Sequence, residues 1–212
     1  MTRAAGREEA FQLFPELKPI EAELVTYEAL LRRWQSKINL VSAATLDDIW
    51  LRHFADSAQV HAAAPGVTRW ADIGSGAGFP GLVTALLLKS RSNAVVHLIE
   101  SDRRKAGFLR AVSRETEAPA IIHAERAETA MPRLAGQIDG VSARALAPLP
   151  RLVQLAEQPL KEGAIGVFLK GEEWRDELTV VEALGSFTCE SAESRTRKGA
   201  RIVVIKRKAS PS

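Results

Sequence analysis

The chain has 212 residues, of which 46% are hydrophobic and 26% charged, and its formal net charge is +3 at pH 7. This length and composition exclude a chain that is disordered throughout, and they predict one large domain or one domain with a small addition. The longest mainly apolar run, residues 82–88, is too short to span a bilayer, and the single cysteine, Cys189, excludes an internal disulfide, so we expect a cytoplasmic protein with no membrane partner.

The first 66 residues are predicted to form helices. Apolar residues recur at spacings of four and three, which places them on one helical face: Ile20, Leu24, Tyr27, Leu31, Trp34 and Ile38. A break is expected at residues 39–44. Thr45, with Asp48 three residues later, then indicates a capping box at the start of a second helix that ends before Pro65. We therefore expect an N-terminal helical extension over residues 1–66.

From residue 67 onward, short apolar or β-branched runs alternate with helical segments, which is typical of an α/β fold with a parallel sheet. Seven strands are predicted near residues 69–73, 94–100, 119–123, 138–143, 163–170, 186–191 and 201–206. The last one follows the sixth with no room for a crossover helix, so we expect it to run antiparallel to its neighbour. The predicted domain spans residues 67–208, and residues 209–212 are expected to form a flexible tail.

A glycine-rich stretch, residues 70–81, follows the first predicted strand. Its glycines Gly74, Gly76 and Gly78 permit positive φ angles and a close approach of the backbone to a ligand. Glu100 ends the second strand, where a carboxylate can accept hydrogen bonds from ribose hydroxyls. The pattern predicts a site for a nucleoside-containing cofactor, with a purely structural glycine turn as the alternative.

The negative charge of Asp72 distinguishes between two classes of such cofactors. A carboxylate beside the glycine turn would repel a pyrophosphate, whereas the amino and sulfonium groups of S-adenosylmethionine are cationic. The acid therefore favours S-adenosylmethionine, with Asp72 acting by direct contact or through water, and it argues against a dinucleotide.

Further candidate site residues follow the later strands. Residues 125–128 could reach the amino edge of adenine, or they could form only an exposed helix start. Arg144, among small apolar residues at the end of the fourth strand, needs a partner, which could be a purely structural carboxylate. His53 is interpreted as a helix-surface residue, with a position facing the cleft as the alternative. The sequence has no nucleophile motif, phosphate loop or metal-spaced histidine pair, so we expect neither a catalytic base nor a metal.

Basic residues are concentrated in two segments, which could bind nucleic-acid phosphates or simply form a solvated surface. The first contains Arg103, Arg104, Lys105, Arg110 and Arg114, and the second contains Arg195, Arg197, Lys198, Arg201, Lys206, Arg207 and Lys208.

Several motifs, taken in order, resemble those of the bacterial small-subunit ribosomal RNA guanine-N7 methyltransferases, also called the glucose-inhibited division protein B family. They are Arg33-Trp34 with residues 38–42, residues 52–57, the stretch 72–81, residues 142–145, Leu169-Lys170-Gly171 and residues 203–206. Gln35 and Ala77 depart from the family pattern, in which an asparagine and a proline are common at these places. Both departures leave every charge and every required glycine in place.

The resemblance implies a class I S-adenosylmethionine-dependent methyltransferase fold, which is a Rossmann-like, mostly parallel seven-stranded sheet with an N-terminal helical extension. It implies S-adenosyl-L-methionine as the cofactor, and 16S ribosomal RNA, in the small ribosomal subunit or an assembly intermediate, as the partner. The acceptor would be N7 of a guanine in the decoding-region loop, and we expect the enzyme to be a monomer. Carried over position by position, the residues that would contact the cofactor are Gly74, Phe79, Ala127, Glu128 and Arg144.

Guanine N7 carries a lone pair and no proton, so the absence of a catalytic base agrees with this chemistry. On this hypothesis Phe79 and the glycine loop hold the methionine end, Glu100 and Glu128 hold the nucleoside, and Arg144 with Lys170 borders the acceptor base or its phosphate. Three alternatives stay open: a methyltransferase that acts on a small molecule or a protein, a dinucleotide-dependent oxidoreductase, and a non-catalytic RNA-binding module.

Overall fold

The centre of the structure is a seven-stranded sheet with helices on both faces. The structure, a computed structural model, describes residues 3–208; the predicted flexible tail, residues 209–212, lies outside them. The strands are β1 (Arg69–Ile73), β2 (Val95–Ile99), β3 (Ala120–His123), β4 (Gly140–Arg144), β5 (Ile165–Lys170), β6 (Phe187–Glu193) and β7 (Arg201–Arg207). All seven predicted strands are thus confirmed, each within two residues of its predicted bounds.

The strand order is β3-β2-β1-β4-β5-β7-β6. Strands β1 to β5 run parallel, whereas β7 lies between β5 and β6 and pairs antiparallel with both. This confirms the expected direction of the last strand. Because the carboxyl ends of β1, β2, β4 and β5 meet at one edge of the sheet, the segments that follow these strands lie close together there.

Helices precede, connect and cover these strands. They are α1 (Arg3–Leu13), α2 (Glu21–Gln35), α3 (Ala43–Leu46), α4 (Asp56–Ala63), α5 (Gly81–Leu87), α6 (Arg103–Thr116), α7 (Ala127–Leu134), α8 (Leu149–Leu155), α9 (Glu157–Lys161) and α10 (Trp174–Ala183). A 3₁₀ helix spans Pro15–Ile20, and a π-helical turn spans Trp50–Ala55. Within residues 3–208, no helix is both long and apolar enough to cross a membrane.

The predicted capping box is wrong, although the predicted amphipathic helix is present as α2. Thr45 lies inside α3 rather than before a helix, and its hydroxyl donates to the carbonyl oxygen of Ser42, 3.0 Å away. The helix therefore begins one turn earlier than predicted, after Ser42, whose backbone is extended. The π-helical turn follows without a strong break and leads directly into α4.

The helices before β1 share one apolar core with the sheet. Tyr27 from α2, Phe54 from the π-helical turn, Trp70 from β1 and Phe108 from α6 are fully buried in it. A second core, on the other face of the sheet, is formed with α7 to α10. Removing the first 66 residues would therefore expose the face of the sheet beneath them.

Gly140 tests how tightly this core is packed. It lies beside Trp70 in the parallel pairing of β4 with β1, and a Cβ atom at Gly140 would lie 2.6–2.8 Å from three atoms of the indole ring. We expect Gly140→Ala to lower the free energy of unfolding by about 2 kcal/mol, because the buried ring has to move. Urea titration measures this change. Gly66→Ala is the matched control, because no atom of the described residues lies within 4 Å of its added Cβ; equal stability of the two variants would contradict the prediction.

Candidate functional site

The glycine-rich loop after β1 is held in place by hydrogen bonds to β2 and to α2. The amides of Gly74 and Ser75 donate to the carbonyl oxygen of Ile99, at 2.9 and 3.0 Å, which fixes the loop to β2. From α2, the hydroxyl of Tyr27 donates to the carbonyl oxygen of Ala77. Gly78 has a φ of +92°, and the Tyr27 hydroxyl fills the place that a side chain at Gly78 would need. The glycine at this position therefore serves loop packing.

A cavity of about 500 Å³, here called the first cavity, lies at the carboxyl ends of β1, β2 and β4. This volume is within the range of small-molecule sites. Seven of the eight predicted cofactor-binding residues line it: Gly74, Gly76, Phe79, Glu100, Ala127, Glu128 and Arg144. The eighth, Gly78, does not, because its backbone packs under Tyr27.

Direct contact between Asp72 and a ligand in this cavity, one of the two possibilities considered above, is wrong. The side chain is fully buried and does not line the first cavity. Its carboxylate accepts hydrogen bonds from the Gly81 amide at 3.2 Å and the Ser142 hydroxyl at 2.7 Å. Burial raises the pKa of Asp72 to about 6, against the lowering effect of these hydrogen bonds. Asp72 therefore joins β1, the start of α5 and β4 beneath the loop.

Glu100 connects the loop to the cavity. One carboxylate oxygen accepts from the Gly76 amide at 2.9 Å and the other from the Asp102 amide at 2.7 Å. Each oxygen retains a second lone pair, because a carboxylate can accept about four hydrogen bonds. The side chain can thus hold the loop and still accept hydrogen bonds from a ligand in the first cavity.

Arg126 and the first two residues of α7 form part of the wall of the first cavity. Ala127 is the first residue of α7, and the Glu128 carboxylate lies 2.6 Å from a guanidinium nitrogen of Arg151. Glu125 instead pairs with Arg133 and does not line the cavity. The structure therefore separates the two acids of this segment, and only Glu128 is available to a ligand.

Phe79 lies at the centre of a stack of rings. Its ring is parallel to that of His53, with centroids 4.7 Å apart, and to that of Tyr27, with centroids 5.3 Å apart. The guanidinium carbon of Arg144 lies 5.1 Å from the centroid of the Phe79 ring. The stack joins the helices before the sheet to the end of β4.

Arg144 has the carboxylate partner that its surroundings require, and two further partners. Its guanidinium donates to Asp56 at 3.3 Å, to the carbonyl oxygen of Arg52 at 3.0 Å and to Nδ1 of His53 at 2.8 Å. Because a guanidinium only donates, Nδ1 accepts, and a neutral His53 ring carries its proton on Nε2, 3.0 Å from the Thr45 hydroxyl.

The interpretation of His53 as a surface residue is wrong. The residue is 7% exposed and lies in the cleft. It belongs to the π-helical turn Trp50–Ala55, and its ring packs against Phe79 and accepts a hydrogen bond from Arg144. Burial, followed by the positive charges of Arg144 and Arg52, lowers the pKa of His53 to about 3. The ring is therefore neutral at physiological pH.

A second cavity, of about 310 Å³, lies on the other side of Arg144. Arg144 and Ala145 line both cavities, and Ala145 has a φ of +53°, which is unusual for a residue with a side chain. The second cavity is also lined by Ser42, Arg52, His53, Asp56, Lys170, Gly171, Ser194, Thr196, Arg197 and Arg201. Motif residues that are far apart in the sequence thus converge here.

Lys170 is not a free cation in this cavity. Its ammonium group lies 2.6 Å from the Glu177 carboxylate and donates to the carbonyl oxygen of Ala147 at 3.0 Å. The sequence predicts that Lys170 lies near Arg144, and both line the second cavity. Asp56 belongs to the motif at residues 52–57, but the sequence predicted no chemical role for it or for Thr196.

Gln35, one of the departures from the family pattern, shapes the entrance of the first cavity. Its amide oxygen accepts from the backbone amides of Leu40 and Val41, and its amide nitrogen donates to the carbonyl oxygen of Val41 at 2.8 Å. Leu40 and Val41 both line the first cavity. Gln35 therefore fixes the loop that closes this side.

The sequence matches a known protein family over most of its length. The family model GidB, rRNA small subunit methyltransferase G, matches residues 20–203. The ribosomal RNA small subunit methyltransferase G of Rhodospirillum centenum is 54% identical over 174 residues, which cover 82% of this chain and 77% of that protein. The protein of the same name from Parvibaculum lavamentivorans is 46% identical over 184 residues, covering 86% of this chain and 81% of that one.

Among solved structures, the O-methyltransferase TomG from Streptomyces achromogenes, in complex with SAM, resembles the chain with a TM-score of 0.61 at 16% identity. The likeness covers 88% of this chain and 90% of that one, and it concerns the fold alone. With the sheet order described above, it confirms the expected class I methyltransferase fold with an antiparallel last strand.

Because His53 is buried, we expect its imidazole to become protonated only at unusually low pH. We expect the imidazole to stay neutral from pH 8 to about pH 4, because burial and two nearby guanidinium groups oppose its protonation. NMR of the ring Cε1–H signal measures this, and the pKa should rise, yet stay below its ordinary value of 6.5, in Arg144→Ala. A transition near pH 6.5 in the wild-type protein would contradict the assignment.

The lowered pKa of His53 also makes the free energy of unfolding depend on pH. As pH falls below 6.5, the unfolded chain binds a proton that folded His53 does not, so the folded state loses stability. Relative to His53→Gln, the wild-type protein should therefore lose about 2 kcal/mol between pH 8 and pH 5.

Proposed function

The chain belongs to the rRNA small subunit methyltransferase G family, and we propose that it transfers a methyl group from S-adenosyl-L-methionine to N7 of a guanine in the decoding-region loop of 16S ribosomal RNA. The main support for the proposal is that the two cavities are adjacent and share Arg144 and Ala145 in their walls. A methyl donor in one cavity and an acceptor base in the other would be brought together at the end of β4.

The first cavity fits the cofactor. Its glycine backbone leaves room for a ligand, and the Glu100 carboxylate has lone pairs free for the two ribose hydroxyls. The residues that would hold the cofactor are Gly74, Gly76, Phe79, Glu100, Ala127, Glu128 and Arg144. Gly78 would act indirectly, by allowing Tyr27 to pack against the loop.

The bound cofactor supplies an electrophilic methyl group, and guanine N7 offers a lone pair without a proton, so transfer needs no general base. The residues of the chain then position the base and balance charge. Arg144 would donate to O6, the acceptor atom next to N7 in guanine. Asp56, the one carboxylate among the described residues that line the second cavity, would offset the positive charge that appears on the methylated purine.

The neutral state of His53 fits this charge balance. A protonated imidazole would add a third positive charge beside Arg144 and Arg52, where the base itself becomes cationic. Because His53 stays neutral, it orients Arg144 through Nδ1 and adds no charge.

We also propose that the enzyme acts as a cytoplasmic monomer, without a membrane partner, on 16S ribosomal RNA in the small subunit or an assembly intermediate. Residues of one chain form both cavities, which supports a monomer. We further propose that residues 1–66 and residues 67–208 are two parts of one catalytic unit, with the first part supplying Arg52, His53 and Asp56 to the acceptor side.

Methyl transfer to subunits tests the function. Small ribosomal subunits from cells that lack the enzyme are incubated with labelled S-adenosylmethionine, and the product is mapped by chemical cleavage at N7-methylguanine. One labelled guanine in 16S ribosomal RNA is the expected result. Binding of the cofactor without transfer to RNA would instead favour a methyltransferase for a small molecule or a protein.

In the same assay we expect Arg144→Ala to lower kcat/KM roughly 100-fold, because the base loses its hydrogen-bond donor and Asp56 loses its ion-pair partner. Arg133→Ala, an exposed arginine outside both cavities, is the matched control. Circular dichroism checks that both variants are folded. Wild-type kcat/KM in a folded Arg144→Ala variant would exclude this role.

Glu100→Gln tests the cofactor site separately from the RNA. We expect the Kd for S-adenosylmethionine to rise roughly 10- to 100-fold, because hydrogen bonds to a charged acceptor are lost, while the KM for small subunits stays unchanged. Isothermal titration calorimetry measures the Kd. Glu115→Gln, on the exposed side of α6, is the control; an unchanged Kd for Glu100→Gln would mean that the carboxylate serves the loop alone.

A further inference from the structure

We propose that the loop between β6 and β7, residues 194–200, together with Arg52, binds the phosphates of the RNA segment that carries the target guanine. This assignment rests on the proposed function and adds to it the surface that meets the RNA. It also means that α6, the other basic segment of the sequence, does not provide the main RNA contact.

The direction of β7 divides the C-terminal basic cluster in space. Arg201 begins β7 beside Lys170, at the carboxyl end of β5, whereas Lys206 and Arg207 lie at the other end of the strand. Six residues of strand separate these ends by about 20 Å. The part of the cluster before β7 thus lies at the site edge of the sheet, and the part at its end lies at the opposite edge.

The loop is fixed at the rim of the second cavity. The amide of Gln59, which is 4% exposed, donates to the hydroxyls of Ser194 and Thr196 at 3.2 Å each and accepts from the Arg195 amide at 2.7 Å. The Thr196 hydroxyl also donates to Asp56 at 2.6 Å. These contacts order the loop before any RNA binds, so little conformational entropy is lost on binding.

Some of the lysine and arginine side chains that line the second cavity are paired with a carboxylate, and others have no such partner. Three of them are paired: Arg144 with Asp56, Lys170 with Glu177 and Arg201 with Glu193. Arg52 and Arg197 line the cavity, and neither forms an ion pair with any residue between 3 and 208.

The neighbour of Arg197 continues this positive surface. Lys198 is exposed and also has no ion-pair partner in the part of the chain that the structure describes. Arg195 is turned the other way, with its guanidinium carbon 4.4 Å from the centroid of the Phe14 ring. A nucleotide whose base enters the second cavity would therefore bring its phosphates to Arg52, Arg197 and Lys198.

The basic residues of α6 are placed differently. Lys105 lines the first cavity, and none of the five basic residues of this helix lines the second. Arg104 and Arg114 have acidic neighbours, at 3.6 Å and 3.0 Å. An RNA segment with its guanine in the second cavity would reach α6 only across the cofactor.

The test compares three charge-removing double variants, and one charge-preserving double variant, in methylation of small subunits over a range of KCl concentrations. Arg197→Gln/Lys198→Gln removes the two loop charges. Lys206→Gln/Arg207→Gln removes two charges of the same cluster at the far end of β7, and Arg103→Gln/Arg110→Gln removes two from α6. Thermal unfolding and the Kd for S-adenosylmethionine are measured for each, so that folding and cofactor binding are monitored separately from RNA binding.

We expect the loop variant to raise the KM for small subunits roughly tenfold and to reduce the slope of log kcat/KM against log [KCl] by about 1.4, since each lost phosphate contact contributes about 0.7. The other two variants should keep the wild-type slope. The charge-preserving variant Arg197→Lys/Lys198→Arg should also keep it, which a purely structural effect of the loop sequence would not predict.

A wild-type slope and KM in the loop variant would overturn the proposal, and so would a lower slope in the α6 variant with none in the loop variant. Absence of methyl transfer by the wild-type enzyme would instead overturn the proposed function. The two failures are therefore distinguishable.

Discussion

The site depends on one charge, the guanidinium of Arg144. Its side chain is only 18% exposed, so the group needs partners, because a buried charge without them is strongly destabilising. β4 provides none, since Arg144 ends a strand of small and apolar residues. All three hydrogen-bond acceptors come from residues 52–56, and the Phe79 ring covers another side. The helices before the sheet are thus part of the site.

This arrangement also sets the charge of the acceptor side. Arg144 is paired with Asp56, and Lys170 with Glu177, so these two side chains add little net charge to the second cavity. A neutral His53 adds none. Arg52 and Arg197 line the same cavity without an ion-pair partner among residues 3–208. On the proposed function, the unpaired cations attract the phosphates of the RNA, whereas the paired ones limit the positive charge beside the methylated base.

The sequence predicted what depends on local pattern. Strand positions followed from apolar runs, and Glu100 followed from its place at a strand end, both of which are short-range properties. For Asp72 the sequence left direct and indirect contact open, and only the fold shows that its carboxylate is buried between β1, the start of α5 and β4, away from the first cavity. His53 was misassigned because its burial depends on contacts with Phe79 and Arg144, which are distant from it in the sequence. The C-terminal basic residues look like one cluster in the sequence, and only the direction of β7 divides them.

The two cavities are lined by largely different parts of the chain. The first cavity is formed mainly by the loops after β1, β2, β3 and β4, which belong to the central fold. The second takes most of its polar groups from residues 42–56 and 194–201, on either side of the central strands in the sequence. A fold can therefore keep its cofactor site while these flanking segments change the acceptor. Arg144 is the point where the two meet, since it lines both cavities and is held by the flanking helices. On the proposed function, selectivity for the acceptor is then coupled to the cofactor site through Arg144 and the adjacent Ala145, which line both cavities.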